Sequence, residues 1–461
     1  MNDIEILAAV MDDVDSYMGA KGHSMPRYEA MPPRQRLAIL NENLRLHTLR
    51  ETGDIKRYLE LQEQIIALGS PVPPIYLIMQ WLDAQMEAIK PVTPERDVLV
   101  LSLLAFGSGY LTRLLTYTFP SLMAFENMPC LAVEKRVVIY IQADDAGRQM
   151  IEASPITSSI KALGVHFDYA IITDDVMAVL KDSNVIYGML GACASLGLHY
   201  ARSLKASFHH SYPDMVYSNR FFSELLRLSK EHKAILAPGM RSDETLMIPA
   251  IAPYRTDKCL SIPASDLLAH HMNSLHICSW PYVVNNRQSA WTYPLGHVMI
   301  WESPGAISIT SPHLNALWLD YSVIKDLPPR FYWTLDSEMH LICKGEDFYI
   351  PQECDEIYQA ELSHPDRQLT NDRYADVVAC ARAIWGAVAH GDALKFFLRG
   401  MHIRINKDIR KCSNAMAEDR IECEMGSLFN AVLGADPYVN SGLPKRTHEG
   451  WFYGGRQKRC G

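Results

Sequence analysis

The chain holds 461 residues, 48% of them hydrophobic and 21% charged, enough to bury one large core or two ordinary ones. Its net charge of -9 speaks against a general affinity for nucleic acid, whose phosphates demand clustered Lys and Arg. Ten cysteines without a single Cys-x-x-Cys pair suit reduced thiols better than a disulfide framework or a zinc site.

The N-terminal stretch to Ile89 reads as helices, with apolar spacings of three and four over Ile4 to Met18, Pro33 to Glu51, Asp54 to Leu68 and Pro74 to Ile89. Pro91 to Pro94 punctuates the chain there. The expected organisation is a helical N-terminal region over 1–92, an α/β domain over 93–365 and a helical C-terminal region over 366–461. The last of these ends in a basic tail, Lys445 to Arg459, read as solvated. The longest apolar run, Val98 to Leu115, is interrupted by Ser102, Gly107, Ser108, Gly109 and Arg113 and falls short of a membrane span. The acidic N-terminus has no basic segment leading into an apolar one, so the expectation is a cytoplasmic protein without a secretory signal.

Val137 to Ile141 has the shape of a first buried parallel strand, ending at Gln142 and Asp144. Phe167 to Thr173 is a second, ending in Asp174 and Asp175, with a helical crossover over Asp145 to Leu163 between them. Ser183 to Leu204 is the strongest helical pattern, and it feeds Ala206 to Ser211, a strand closed by a turn on Pro213-Asp214. A further helix, Asn219 to Lys230, follows. This alternation implies an open, mostly parallel α/β sheet, and such sheets bind ligands at the carboxyl ends of their strands. Asp214 is therefore the first candidate functional residue; as a plain turn residue it would cap instead. Ala234 to Ala237, Ala306 to Ile309, Ala316 to Leu319, His340 to Cys343 and Ile357 to Ala360 are the other expected strands.

Several segments in order resemble a diffuse bacterial family related to glycosyltransferases of the GT-A fold. They are Phe119-Pro120-Ser121-Leu122, Asn127-Met128-Pro129, Tyr187-Gly188, Tyr212-Pro213-Asp214, Ala237-Pro238-Gly239-Met240-Arg241 with Glu244, Ser311-Pro312-His313 to Asp320, Asp336, and Asp355-Glu356-Ile357-Tyr358. The resemblance spans roughly 115–365. It implies a GT-A-like, Rossmann-like sheet and transfer of a sugar from a nucleoside diphosphate sugar to an acceptor that the sequence does not identify. In that family an Asp-x-Asp motif holds a divalent metal on the diphosphate, whose developing charge the ion stabilises. Here Tyr212 replaces the first carboxylate and Asp214 matches the second, so Mn²⁺ or Mg²⁺ would rest on Asp214, with His313 as the added ligand.

By position in the family, Asp144, Asp174, Asp175 and Tyr187 fall on the nucleotide side. Arg241 faces phosphate through its planar fork, or else pairs with Asp243 or Glu244. Asp336 and Asp355 are the candidate bases toward the acceptor hydroxyl.

Other constellations are weaker. His209-His210, His270-His271 and His276 lack the spacing of a zinc hydrolase, and neither a phosphate-loop motif nor a Gly-x-Ser-x-Gly elbow occurs. Gly188, Gly191 and Gly197 sit inside a helical pattern. The tryptophans after Trp280 are either sugar platforms or core. The missing first carboxylate leaves one rival class open, a catalytically silent member of the fold that binds a nucleotide or a protein partner.

Overall fold

The computed structural model describes residues 41, 45–67, 69–92, 97–180, 185–277, 279, 298–303, 306–310, 314–336, 338–343, 348–351, 357–365 and 401–404. Its strands are β1 (Val98–Leu104), β2 (Arg136–Ala143), β3 (His166–Ile171), β4 (Ser207–Ser211), β5 (Met215–Tyr217), β6 (Ala234–Ala237) and β7 (Arg241–Asp243). They continue as β8 (Val298–Ser303), β9 (Ala306–Thr310), β10 (Asn315–Leu319), β11 (Phe348–Tyr349), β12 (Gln359–Ser363) and β13 (Met401–Arg404). The central sheet has the order β11-β6-β10-β4-β1-β2-β3. Every strand in it runs the same way except β10, which is antiparallel to both β4 and β6. The chain is thus an α/β protein built on a mostly parallel sheet, as its alternating pattern predicts.

The first strand is β1 and not Val137–Ile141, which belongs to β2. All seven residues of β1 are buried between β2 and β4, so Val98 to Leu104 reads as one continuous apolar run. Such a run has no period by which to tell a doubly covered strand from a buried helix. The run breaks at Gly107, whose φ of +79° suits glycine, and helix Ser108–Arg113 follows. Two further expectations change. His340–Cys343 lies largely in a short helix, Met339–Ile342, not a strand. Met401–Arg404, expected in the helical C-terminal region, is a strand paired with β9.

Helix Ile186–Ser203 carries β3 back to β4 and is buried on most of its circumference. Its glycines are packing notches. A Cβ on Gly188 would lie 2.5 Å from Ile75 of helix Pro74–Ala88, one on Gly191 2.3 Å from the carbonyl oxygen of Tyr332, and one on Gly197 2.1 Å from Ser102 Oγ of β1. No side chain fits in those gaps without displacing a neighbour. Helix Pro74–Ala88 enters the same core, and Trp81 Nε1 donates to the Ile171 carbonyl at 2.8 Å. Ser183 and Asn184, at the start of the expected helix Ser183 to Leu204, lie outside the described residues, as do residues 366–400. Among the described residues no helix is long and apolar enough to cross a membrane.

A second sheet, β5-β12-β7, lies beyond the end of β4. The chain leaves the central sheet at Tyr212 and enters the second at Met215, so the Pro213-Asp214 turn is the hinge between the two sheets. Thr118 Oγ1 donates to the Pro213 carbonyl and Leu362 N to the Asp214 carbonyl, each at 2.8 Å, which fixes the turn from both sides.

Candidate functional site

The turn rests on a buried polar chain under β4. His209 Nδ1 meets the Leu317 carbonyl at 2.7 Å, His209 Nε2 meets Tyr217 Oη at 3.1 Å, and Tyr217 Oη meets Ser211 Oγ at 2.5 Å. With Nδ1 donating to the carbonyl, Nε2 is the acceptor and Tyr217 the donor. Burial pushes the His209 imidazole down to about 4, which keeps it neutral as this chain of bonds requires. Phe221 and Phe222 close around the ring, with centroids 6.1 and 5.2 Å away.

Beyond Ser211 the side chains become charged. Asp214 is 3% exposed. Arg113 is held protonated first by its bond to Glu244 and further by the charges of Glu244 and Asp214. It donates to Glu244 through Nε at 2.6 Å and through a terminal nitrogen at 2.7 Å, a bidentate pair. Arg241 pairs with Glu361 at 3.0 Å across the parallel β7–β12 register, and neither Asp243 nor Glu244 is its partner. Asp243 instead caps helix Glu244–Ile251 through the Thr245 N–H.

Tyr212 is where these charges meet. Its phenol is pushed far up, by burial first and then by the charges of Asp336, Glu361 and Asp214, with Arg241 opposing. Its ring meets His210 edge-on at 4.9 Å, and burial pushes His210 down to about 4 against the pull of Asp336. The charges of Asp336, Glu361, Arg241 and Asp214 therefore all act on Tyr212, the residue that stands in the first Asp position.

The nucleotide-side candidates share the sheet edge but are placed separately. Asp144, after β2, accepts the Gly147 N–H at 2.9 Å as the cap of helix Asp145–Ala153. Asp174 and Asp175, after β3, are exposed in the first turn of helix Asp174–Val179. Asp175 is held below the usual carboxylate range chiefly by a hydrogen bond from Thr173. Tyr187 is 42% exposed at the start of helix Ile186–Ser203. Asp355 and His313 lie outside the described residues. Trp318 is 2% exposed and belongs to the core, while Trp333 packs on Phe331 and under Arg45.

Two of the described histidines are engaged in hydrogen bonds: His271 Nδ1 meets Tyr358 Oη at 2.8 Å and His276 Nε2 meets the His364 carbonyl at 3.0 Å. Among the described residues no group of three His, Cys, Asp or Glu could hold a metal ion.

Sequence reasoning missed Arg113 and Glu361. A lone Arg in an apolar segment was the available signal for Arg113, because a buried guanidinium needs a carboxylate.

The geometry defines the class as an α/β protein in which two sheets meet at the Pro213-Asp214 turn. No family model and no curated protein matches the sequence. Two solved transferase structures are similar to the chain. Mouse xyloside xylosyltransferase 1 in its apo form is 11% identical, over 69% of this chain and 99% of that one, with a TM-score of 0.27. The mannosyltransferase Ktr4p from S. cerevisiae is 9% identical, over 71% of this chain and 92% of that one, with a TM-score of 0.29. At these scores neither likeness bears on what this chain does.

Proposed function

We propose that the chain transfers a sugar from a nucleoside diphosphate sugar to an acceptor at the carboxyl edge of β4. The observation that supports this reading is the convergence of Asp214, Asp336 and Arg241 on Tyr212, at the strand edge where α/β sheets bind ligands. Arg241 exchanges Glu361 for the diphosphate, whose charge suits its planar fork. Asp336 accepts the acceptor hydroxyl proton as the new glycosidic bond forms; the bond from the sugar to the diphosphate breaks with its electron pair leaving on phosphate. Asp355 is the other candidate base. Asp144, Asp174, Asp175 and Tyr187 face the base and ribose.

Mn²⁺ or Mg²⁺, if bound, would rest on Asp214 with His313 and act as a Lewis acid on the leaving diphosphate. The described donors are too few for that ion, so no step depends on it.

Asp336→Asn is expected to lower turnover, read as release of nucleoside diphosphate, by roughly 10²- to 10⁴-fold with nucleotide affinity unchanged. Full turnover in that variant would remove Asp336 from the role of base. A silent, ligand-binding protein is the second reading, favoured by the burial of Asp214 and by Tyr212 in the first carboxylate position. Such a protein would bind nucleotide and release none of it from a sugar donor.

A further inference from the structure

Two arginines act on the residues of the Pro213-Asp214 turn, Arg113 on Asp214 and Arg241 on Tyr212, and their carboxylate partners hold them differently. Arg113 grips Glu244 with two nitrogens, at 2.6 and 2.7 Å, and the two side chains are 18% and 12% exposed. Arg241 makes its closest approach to Glu361 through Nε, at 3.0 Å, and its side chain is 29% exposed. The same Glu361 Oε1 also accepts from Ser363 Oγ at 3.1 Å. A pair that shares its oxygen and stands partly open to water contributes little and exchanges readily, whereas a fork filled at two points does not.

We infer that Glu361 is an autoinhibitory residue: it holds the Arg241 guanidinium where a diphosphate would, and a nucleoside diphosphate must displace it to bind. The inference rests on the transferase reading and deepens it by naming the residue that opposes ligand entry.

The backbone around Glu361 is fixed, so the exchange falls to side chains. Glu361 lies in β12, the middle strand of the second sheet. Its N–H donates to the Met240 carbonyl at 3.2 Å, and its own carbonyl accepts from Ser242 Oγ at 2.7 Å. Ser363, two residues on along the same face of the strand, gives the carboxylate a partner that stays when Arg241 leaves. The exchange therefore strands no charge. Glu361 keeps Ser363 and water, and Arg241 gains phosphate oxygens, whose two-point geometry suits its planar fork. The charges of Glu361 and Arg241 act with opposite sign on Tyr212, which sets the exchange beside the first carboxylate position.

The test is calorimetric titration of UDP, GDP and CDP, each with and without Mn²⁺, into the full chain and into Glu361→Gln, alone and in an Arg241→Gln background. Glu361→Gln keeps the length of the side chain and an oxygen for Ser363, so the fold should hold. The expected result is a nucleotide affinity about five-fold higher in Glu361→Gln than in the wild type, weaker binding in Arg241→Gln, and no gain from Glu361→Gln in that background. A nucleotide that binds only once Glu361 is replaced supports the inference equally. Equal or weaker binding in Glu361→Gln overturns it and leaves the transferase reading standing. An equal gain in both backgrounds overturns it too, because Glu361 would then act by general repulsion. If no nucleotide binds the wild type or Glu361→Gln, the transferase reading falls and the inference with it. Should Glu361→Gln not fold, Glu361→Asp, which shortens the reach to Arg241, is expected to raise the affinity in its place, and unchanged affinity there overturns the inference.

Discussion

Lowering the pH from 6.5 to 4.5 is expected to cost this protein most of its stability. His209 and His271 are 0% and 1% exposed, and burial pushes each imidazole down to about 4, below the ordinary value of 6.5. Between those values the unfolded chain binds protons that the folded chain does not. Stability therefore rises with pH across this window and is lost as pH falls through it. By linkage, protonation of each histidine costs the folded state about 2 kcal/mol between pH 6.5 and 4.5. Two of them approach the lower end of the stability of an ordinary domain, about 5 to 15 kcal/mol.

The structural reason is visible at His209. Its Nε2 accepts from Tyr217, and a proton there would set two donors against each other. The affected segment is the support of the Pro213-Asp214 turn, so acid should disturb the site as well as the fold. Urea denaturation followed from pH 7 to 4.5 measures this, and His271→Asn should take away about a third of the slope, because burial pushes His210 down to about 4 as well. A flat profile would show that these imidazoles are not buried neutral.

Arg113→Met is expected to destabilise the fold by about 3 to 5 kcal/mol, the cost of leaving a buried carboxylate unpaired. Arg113 and Glu244 are largely buried, and their bidentate pair ties helix Ser108–Arg113, just after β1, to helix Glu244–Ile251. The same guanidinium lies in the field of Asp214, so its loss also removes a favourable charge from that carboxylate. Arg113→Met with Glu244→Gln should recover most of the loss, because the removed partner no longer needs neutralising. Equal destabilisation in the single and double variants would mean that packing, not charge, was lost. Denaturation midpoints of the two variants decide between these.

The parts of this fold that were legible in the sequence are those with local signatures. β2 and β6 are short apolar runs, β3 and β4 are short segments closed by turn residues, and helices Ile55–Ala67, Pro74–Ala88 and Ile186–Ser203 repeat at helical spacing. β1 was not legible because burial on both faces removes alternation, and Met401–Arg404 because its partner strand is nearly a hundred residues away.

The candidate site divides the same way. Asp214 could be placed from the strand and turn around it. The Arg113–Glu244 pair, 131 residues apart, and the Arg241–Glu361 pair exist only once the two sheets are assembled. Asp144 shows the converse: it stands at a strand end as expected, and its carboxylate caps a helix, a role that local sequence also fits.

The central claim is that the end of β4 binds a nucleoside diphosphate. Calorimetric titration of UDP, GDP and CDP, each with and without Mn²⁺, into wild type and Asp214→Asn tests it most directly. The account predicts that one of the three binds the wild type and that its affinity falls at least ten-fold in Asp214→Asn at unchanged thermal stability. Binding in the presence of Mn²⁺ only would assign the ion to Asp214 and His313. Failure of all three nucleotides to bind, or equal binding in the variant, would contradict the account.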